Sequence, residues 1–206
     1  MITKREFIIN ELMVEHFVEW EMNSICLEET EDTGKSTLIF QLTSGDNLSV
    51  KNVDKKNTQI HFFQDSKVKS MFKRVDHIIF EQLEDDKWKI HLIEMKSSVG
   101  TGKWDEIKGK FRASYLLAQA IAAILEMNIV ETCMYTTYEQ IHLLPSETMP
   151  AARRLRLGEK SIKPQDEWEG RNFGLNFGTR INFMHKPIQM ERDAQGILQG
   201  NYRSNA

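Results

Sequence analysis

Two apolar segments joined by an acidic turn constrain the fold of this chain of 206 residues more than any other feature. The segments cover residues 73–83 and 87–97, and the turn between them reads EDDK. Each segment has apolar residues on both of its faces, which is typical of strands buried in the centre of a sheet. The pattern therefore predicts an antiparallel hairpin of two central strands.

The second segment, WKIHLIEMKSS, ends in charged residues, because Glu94 and Lys96 follow its apolar run. Side chains alternate along a strand, so these two point to the same face. A buried ion pair is costly unless further partners or a metal ion compensate it. In the predicted hairpin the start of the first strand lies beside the end of the second, which brings Asp76 close to Glu94 and Lys96.

Two carboxylates at one sheet edge form a hard oxygen site that suits Mg²⁺ or Mn²⁺. Such an ion would stabilise charge on a phosphate and lower the pKa of a bound water. Lys96 would neutralise phosphate charge or orient that water. A structural ion pair is the alternative for the same residues, since Glu-x-Lys alone is a common pattern at solvated strand ends.

The residues VDHIIF (75–80) and IEMKSS (93–98) resemble the motif of the PD-(D/E)xK nuclease superfamily, with Asp76, Glu94 and Lys96 at the motif positions. Valine stands in place of the proline before the aspartate. The resemblance implies a restriction-endonuclease-like α/β fold, with an αβββαβ core and a mixed central sheet flanked by helices. Here that core would have extra N-terminal strands and a C-terminal hairpin extension.

The same resemblance implies further metal ligands. The backbone carbonyl of Met95 would join Asp76 and Glu94 on the ion. Members of this superfamily often add a glutamate from the first helix. Glu15 or Glu11 would take that place, and no spacing selects one of the two.

The helix predicted after the motif, residues 104–127, carries polar residues on one stripe. Lys108, Arg112, Tyr115 and Gln119 recur at spacings of four, three and four. Gln119 stands alone in LLAQAIAA, where an unpaired amide is unfavourable. It resembles a glutamine of the RecB-like members, although there a tyrosine follows by four rather than preceding. We therefore predict that Gln119 supports catalysis and that the stripe contacts nucleic acid, with a solvent-facing row as the alternative.

Other basic residues are candidates for contact with nucleic acid. Lys103 ends the loop SVGTGK, and Arg153, Arg154 and Arg156 form a basic patch. Phosphate contacts by such residues would make binding strongly dependent on salt. The alternative for the arginines is a solvated basic loop.

The remaining segments complete the predicted domain. Residues 4–24 have apolar side chains at helical spacing and predict an amphipathic helix rather than a signal peptide. Residues 26–65 are β-prone with turn signals, and residues 170–188 predict a hairpin. We expect one nuclease-like domain over residues 1–190 and a polar, flexible tail over residues 191–206.

Composition limits the classes of function. The chain has 40% hydrophobic and 28% charged residues and a formal net charge of −3, which argues against indiscriminate binding of polyanions. Its two cysteines indicate neither a disulfide framework nor a zinc site. This cysteine usage favours a reducing environment, so we expect a cytoplasmic protein. No apolar run is long enough to cross a membrane, so we expect no membrane partner.

These observations predict a metal-dependent nuclease that hydrolyses phosphodiester bonds, with Mg²⁺ or Mn²⁺ as cofactor and with DNA favoured over RNA as partner. Defence, repair or mobile-element biology is the setting expected by analogy with small members of the superfamily. One alternative is a nuclease-like binding or assembly subunit without catalysis. Another is a regulatory protein whose residues 26–65 recognise a partner. The oligomeric state is left open, with a homodimer or a larger complex as options.

Overall fold

The computed structural model describes residues 3–13, 16–29, 35–51, 53, 70–84, 86–143 and 163–204. In chain order the described elements are α1 (Lys4–Phe7), a π-helical turn (Ile8–Leu12), β1 (Val18–Glu21), β2 (Ser24–Glu29), β3 (Ser36–Gln41), β4 (Asn47–Val50), β5 (His77–Gln82), β6 (Lys87–Glu94), β7 (Ser98–Gly100), α2 (Thr101–Ile124), β8 (Asn128–Tyr138), β9 (Gln140–His142), α3 (Pro164–Trp168), β10 (Gly174–Asn176), β11 (Arg180–Asn182), β12 (Met184–Gln189), β13 (Glu191–Arg192) and β14 (Leu198–Arg203). The described chain is mixed α/β and contains more strand than helix.

A mixed sheet of six strands forms the centre, in the order β1-β4-β5-β6-β8-β12. The first four strands are antiparallel to their neighbours, whereas β6, β8 and β12 run parallel. Helix α2 connects β6 to β8, because parallel neighbours need a long crossover. The structure confirms the mixed central sheet and the antiparallel hairpin, which is β5–β6.

The central sheet separates two apolar cores. On one face, Trp88, Ile90 and Leu92 of β6 pack with residues of the π-helical turn, α2 and α3. On the other face, Ile93 packs with a second sheet of order β13-β14-β3-β2. The described helices therefore share one face and a sheet covers the other. This corrects the prediction of a central sheet flanked by helices.

Helix α2 forms close to where its apolar spacing predicts it. Ile107, Phe111 and Ile121 are buried and face the first core. The backbone N–H of Val75 donates to Ser114 Oγ at 2.9 Å, which attaches the chain before β5 to the helix. No helix among the described residues is both long enough and apolar enough to cross a membrane.

The single helix predicted over residues 4–24 is wrong. Helix α1 has four residues, closed at its start by Thr3 and Glu6, which accept hydrogen bonds from each other's backbone N–H groups. After the π-helical turn the chain becomes extended, and β1 pairs with β4 so that Val18 lies opposite Val50. Strand pairing and the burial of Val18 override the helical spacing of the sequence.

Residues 191–204 are not a flexible tail, contrary to prediction. Strand β14 runs parallel to β3 in the second sheet, and the Ser204 backbone N–H donates to the carbonyl of Gln41 at 2.7 Å. Leu198 is buried and Tyr202 packs against the second core, while the polar residues between them are more exposed. The segment is polar because one face of an outer strand meets solvent. The predicted C-terminal hairpin does form, between β10 and β11.

Candidate active site

Strand register brings the motif residues together at one end of the β5–β6 hairpin. His77 pairs with Ile93, so the next position along the hairpin places Asp76 beside Glu94. Asp76 Oδ2 accepts a hydrogen bond from the backbone N–H of Met95 at 2.6 Å. Both carboxylates therefore lie at the same end of two strands that the apolar core holds in place.

Lys96 lies between the two carboxylates. Its Nζ is 2.9 Å from Glu94 Oε1 and 3.8 Å from Asp76 Oδ2. The same atom donates to the carbonyl oxygen of Met95 at 2.7 Å. The backbone N–H of Lys96 donates to Thr137 Oγ1 at 2.8 Å, which holds the chain after β6 against β8.

A second lysine, which the sequence analysis missed, completes the cluster. Lys110 Nζ of α2 is 2.6 Å from Glu94 Oε1 and 3.9 Å from Asp76 Oδ1. It follows the buried Ile107 by three residues and precedes the buried Ser114 by four. The sequence alone does not distinguish it from Lys108 and Arg112, which also lie beside the apolar stripe of this helix. The two lysine side chains of the cluster are 21% and 17% exposed, so both still reach solvent.

The ionisation of Glu94 is strongly perturbed. Its side chain is 0% exposed, and this burial, followed by the negative charge of Asp76, raises its pKa to about 7 against the opposing charges of Lys96 and Lys110. Burial alone would lower the pKa of Lys96, but the charges of Glu94 and Asp76 raise it overall. Near neutral pH, Glu94 therefore exchanges between protonated and ionised forms while Lys96 stays charged.

The cluster offers several oxygen ligands to a divalent metal ion. Glu94 Oε2 is buried and has no hydrogen-bond partner among the residues that the structure describes. Asp76 and the carbonyl of Met95 supply further oxygens beside it. Within the same described ranges, no group of three or more His, Cys, Asp and Glu side chains is placed to hold a metal. Mg²⁺ or Mn²⁺ would therefore complete its shell with water or phosphate oxygens.

Four predicted site residues lie outside the described residues: Glu15, Arg153, Arg154 and Arg156. Glu11, the other glutamate considered as a ligand, is exposed in the π-helical turn. The proposed metal ligands that the structure describes therefore all come from the end of the β5–β6 hairpin.

Two residues of the predicted stripe on α2 are engaged in contacts within the protein. Lys108 forms ion pairs with Asp105 and with Glu167 of α3, each at 2.9 Å. Tyr115 packs edge-on against Phe183, with ring centroids 4.9 Å apart. These contacts attach the helix to the C-terminal part of the chain. They give both residues a structural role that the sequence pattern did not indicate.

Gln119 lies away from the carboxylate cluster, although we predicted it beside the catalytic residues. It follows Lys110 on α2 by nine residues, which corresponds to a rise of about 13 Å along the helix. With Tyr115 it lines a separate cavity of about 440 Å³.

Lys103 is exposed near the start of α2 and pairs with a glutamate one turn along. Arg112, in contrast, borders a cavity that Lys110 also lines.

No protein-family model, curated protein or solved structure matches the chain. The function must therefore be inferred from the cluster itself. Two adjacent carboxylates and two lysines combine groups that bind a divalent cation with groups that bind phosphate oxygens. The chemistry they support best is therefore reaction at a phosphate ester.

Proposed function

We propose that this protein is a metal-dependent nuclease that hydrolyses phosphodiester bonds, with a core of the restriction-endonuclease-like type. The observation that carries the proposal is the buried Glu94 carboxylate, which lies beside Asp76 and has an oxygen without a partner among the described residues. The order β5, β6, α2 and β8, with β6 parallel to β8, supports the resemblance to the PD-(D/E)xK superfamily.

Asp76, Glu94 and the carbonyl oxygen of Met95 would hold Mg²⁺ or Mn²⁺. The bound ion would lower the pKa of a coordinated water and offset the charge of the phosphate. Glu94 has to be ionised to act as a ligand, and its pKa of about 7 makes metal binding compete with protonation. Cleavage should therefore increase as the pH rises through about 7.

When substrate binds, Lys96 and Lys110 would release Glu94 and contact the phosphate instead. Both now pair with Glu94, and the oxygens of a phosphate are strong alternative acceptors for their ammonium groups. Lys96 would hold the attacking water or donate to the scissile phosphate, while Lys110 would contact a phosphate oxygen from the side of α2. The water oxygen loses a proton to solvent and bonds to phosphorus, the bond to one ester oxygen breaks, and that oxygen takes up a proton from solvent.

Cleavage of labelled DNA and RNA oligonucleotides in Mg²⁺ or Mn²⁺ tests the proposal. We expect cleavage to require the divalent ion. Asp76→Asn, Glu94→Gln and Lys96→Met should each reduce its rate by about a hundredfold or more, as removal of one charge-stabilising group does. Glu191→Gln, which changes an exposed carboxylate on β13, is the matched control and should retain the wild-type rate.

One observation favours a second function, that of a nuclease-like binding or assembly subunit without catalysis. Lys96 and Lys110 already pair with the two carboxylates, so they offset part of the negative charge of the cluster without a metal ion. Calorimetric titration with Mn²⁺ separates the two functions. Binding of Mn²⁺ with a dissociation constant at or below the millimolar range supports the nuclease, provided that Glu94→Gln abolishes this binding. Cleavage that persists in both Asp76→Asn and Lys96→Met would contradict it, and absence of any manganese site favours the binding subunit.

A further inference from the structure

A cavity of about 210 Å³ lies beside the candidate active site, between residues 70–73 and helix α2. The hydrogen bond from the Val75 backbone N–H to Ser114 Oγ fixes the first segment to the helix. Lys110 lines the cavity and also pairs with Glu94 at 2.6 Å. The cavity therefore adjoins the carboxylate cluster and shares one side chain with it.

Positive charge is in excess around this cavity. Lys73, Lys110 and Arg112 line it together with Asp105 and Glu106. Each of the two acids is paired with a lysine of α2 three residues away, at 2.9 and 3.2 Å. Because these pairs neutralise the acids and Lys110 pairs with Glu94, Lys73 and Arg112 remain as the net positive charge that a ligand would meet.

Among the three cations that line the cavity, Arg112 is the one whose side chain has no evident role in the fold. It makes no hydrogen bond or ion pair with any other described residue, and its side chain is only partly exposed. A guanidinium group has five N–H donors in a planar fork that matches the oxygens of a phosphate. Lys73 and Lys110 add two ammonium groups around the same space. This donor set is suited to a phosphate group rather than to a neutral ligand.

We infer that this cavity binds a phosphate group of the nucleic-acid strand, next to the phosphate that is hydrolysed. The inference rests on the proposed nuclease function. Lys110 links the two positions, since it lines the cavity and contacts Glu94. A strand held by the neighbouring phosphate cannot slide across the cluster, so the cavity sets which bond is cut relative to that phosphate. The phosphate belongs either to an internal diester or to a phosphorylated strand end, because both present the same acceptor oxygens.

Binding without turnover tests the cavity separately from catalysis. The probe is a fluorescein-labelled single-stranded DNA, titrated in EDTA over a series of salt concentrations. Arg112→Gln and Lys73→Gln should each weaken binding about five- to tenfold. Each should also reduce the slope of log affinity against log salt by about 0.7, the value for one lost phosphate contact on a single strand. The matched controls are Lys35→Gln, exposed just before β3, and Arg203→Gln, exposed on β14, which should change neither quantity.

Neutral phosphate analogues then locate the contact on the strand. One methylphosphonate is placed at each position in turn, and 5′-phosphorylated strands are compared with 5′-hydroxyl strands. One substitution should weaken binding to the wild type but not to Arg112→Gln, since both changes remove the same contact. If that position is internal, the cavity binds a diester, and if removal of the terminal phosphate has this effect, it binds a strand end.

The outcomes separate failure of the cavity from failure of the nuclease assignment. In one outcome the wild type cleaves DNA, while Arg112→Gln and Lys73→Gln bind DNA as tightly as the wild type and with the same salt slope. The proposed phosphate cavity is then wrong and the proposed nuclease function is retained. In another outcome neither metal supports cleavage, but the two variants still bind DNA more weakly than the control variants. The cavity is then retained as an anion-binding site and the proposed nuclease function is wrong. Circular dichroism confirms that each variant is folded.

Discussion

Two buried glutamates on adjacent strands of one hairpin have opposite surroundings. Glu81 of β5 is 1% exposed and Glu94 of β6 is 0% exposed, so both have lost their contact with water. Glu81 interacts with Ser204, which directly follows β14 of the second sheet, whereas Glu94 interacts with helix α2. Glu81 contributes to the stability of the fold, whereas Glu94 remains available to a ligand.

Glu81 is saturated with hydrogen bonds. Its Oε1 accepts from the backbone N–H and the hydroxyl of Thr43, both at 2.7 Å. Its Oε2 accepts from His91 Nε2 at 2.7 Å and from Ser204 Oγ at 3.1 Å. Burial raises the pKa of Glu81, but the hydrogen bonds of His91 and Thr43 outweigh it and lower the pKa to about 2. Burial also lowers the pKa of His91, so the neutral ring donates to Glu81 and accepts from Tyr135 at 2.9 Å.

Glu94 lacks this saturation. Its contacts with two lysines all involve Oε1, and Oε2 has no hydrogen-bond partner among the described residues. A buried charge without full compensation favours its protonated form, which is why the pKa rises to about 7 instead of falling to about 2 as in Glu81. Equal burial therefore does not imply an equal role. Unsatisfied bonding capacity marks Glu94, and not Glu81, as the candidate metal ligand.

The largest expected difference between the two glutamates is in stability. Glu81→Gln replaces the acceptor Oε2 by an amide nitrogen and removes the hydrogen bonds from His91 and Ser204. Each such bond to a charged group contributes about 1.5–3 kcal/mol, so the free energy of unfolding should fall by about 3–6 kcal/mol. Glu94→Gln should change it by less than about 1 kcal/mol, because Lys96 and Lys110 still reach solvent. Urea denaturation at pH 7.5 measures both values, and equal losses would contradict the comparison.

The two glutamates should also respond to pH with opposite signs. The folded-state pKa of Glu94 is raised from 4.5 to about 7, so its contribution to stability is present below pH 4.5 and is lost as the pH rises through about 7. The folded-state pKa of Glu81 is lowered from 4.5 to about 2, so its contribution is present above pH 4.5 and is lost as the pH falls through about 2. Each contribution is about 3 kcal/mol.

Urea denaturation of the wild type and of each glutamine variant over a pH series measures these contributions as differences. Groups that contact neither glutamate, such as the buried His185, then cancel, whereas the difference for Glu81 includes its partner His91. Glu94→Gln should flatten the dependence between about pH 5 and 7, and Glu81→Gln should flatten it below about pH 4.5. An unchanged profile between pH 5 and 7 in Glu94→Gln would show that Glu94 has an ordinary pKa.

The smallest expected effect comes from Ser204→Ala, which removes one donor to Glu81. We expect a loss of about 1.5–3 kcal/mol in the free energy of unfolding, since the bond involves a charged acceptor. Asn201→Ala, exposed on strand β14 just before Ser204, is the matched control and should have almost no effect. If the two variants are equally stable, Ser204 does not contribute to the saturation of Glu81 in solution.

Local patterns were sufficient for the elements that carry the candidate site. Apolar runs on both faces predicted the β5–β6 hairpin, and apolar residues at helical spacing predicted α2. The same reasoning failed for residues 4–24, where pairing with β4 decides the structure. It also failed for β14, whose polar side chains occupy the solvent face of an outer strand. Neither partner strand lies near in the sequence, so no local pattern indicated the pairing.

The sequence by itself determined that Asp76, Glu94 and Lys96 meet, because a short turn folds the two strands into an antiparallel hairpin whose open ends lie side by side. Only the tertiary structure decided what surrounds them. Packing of α2 against the sheet brings Lys110 to Glu94 and carries Gln119 away, and strands distant in sequence saturate Glu81. The physical reason is that hydrogen-bond saturation depends on atoms contributed by distant segments, and residue type alone does not specify it.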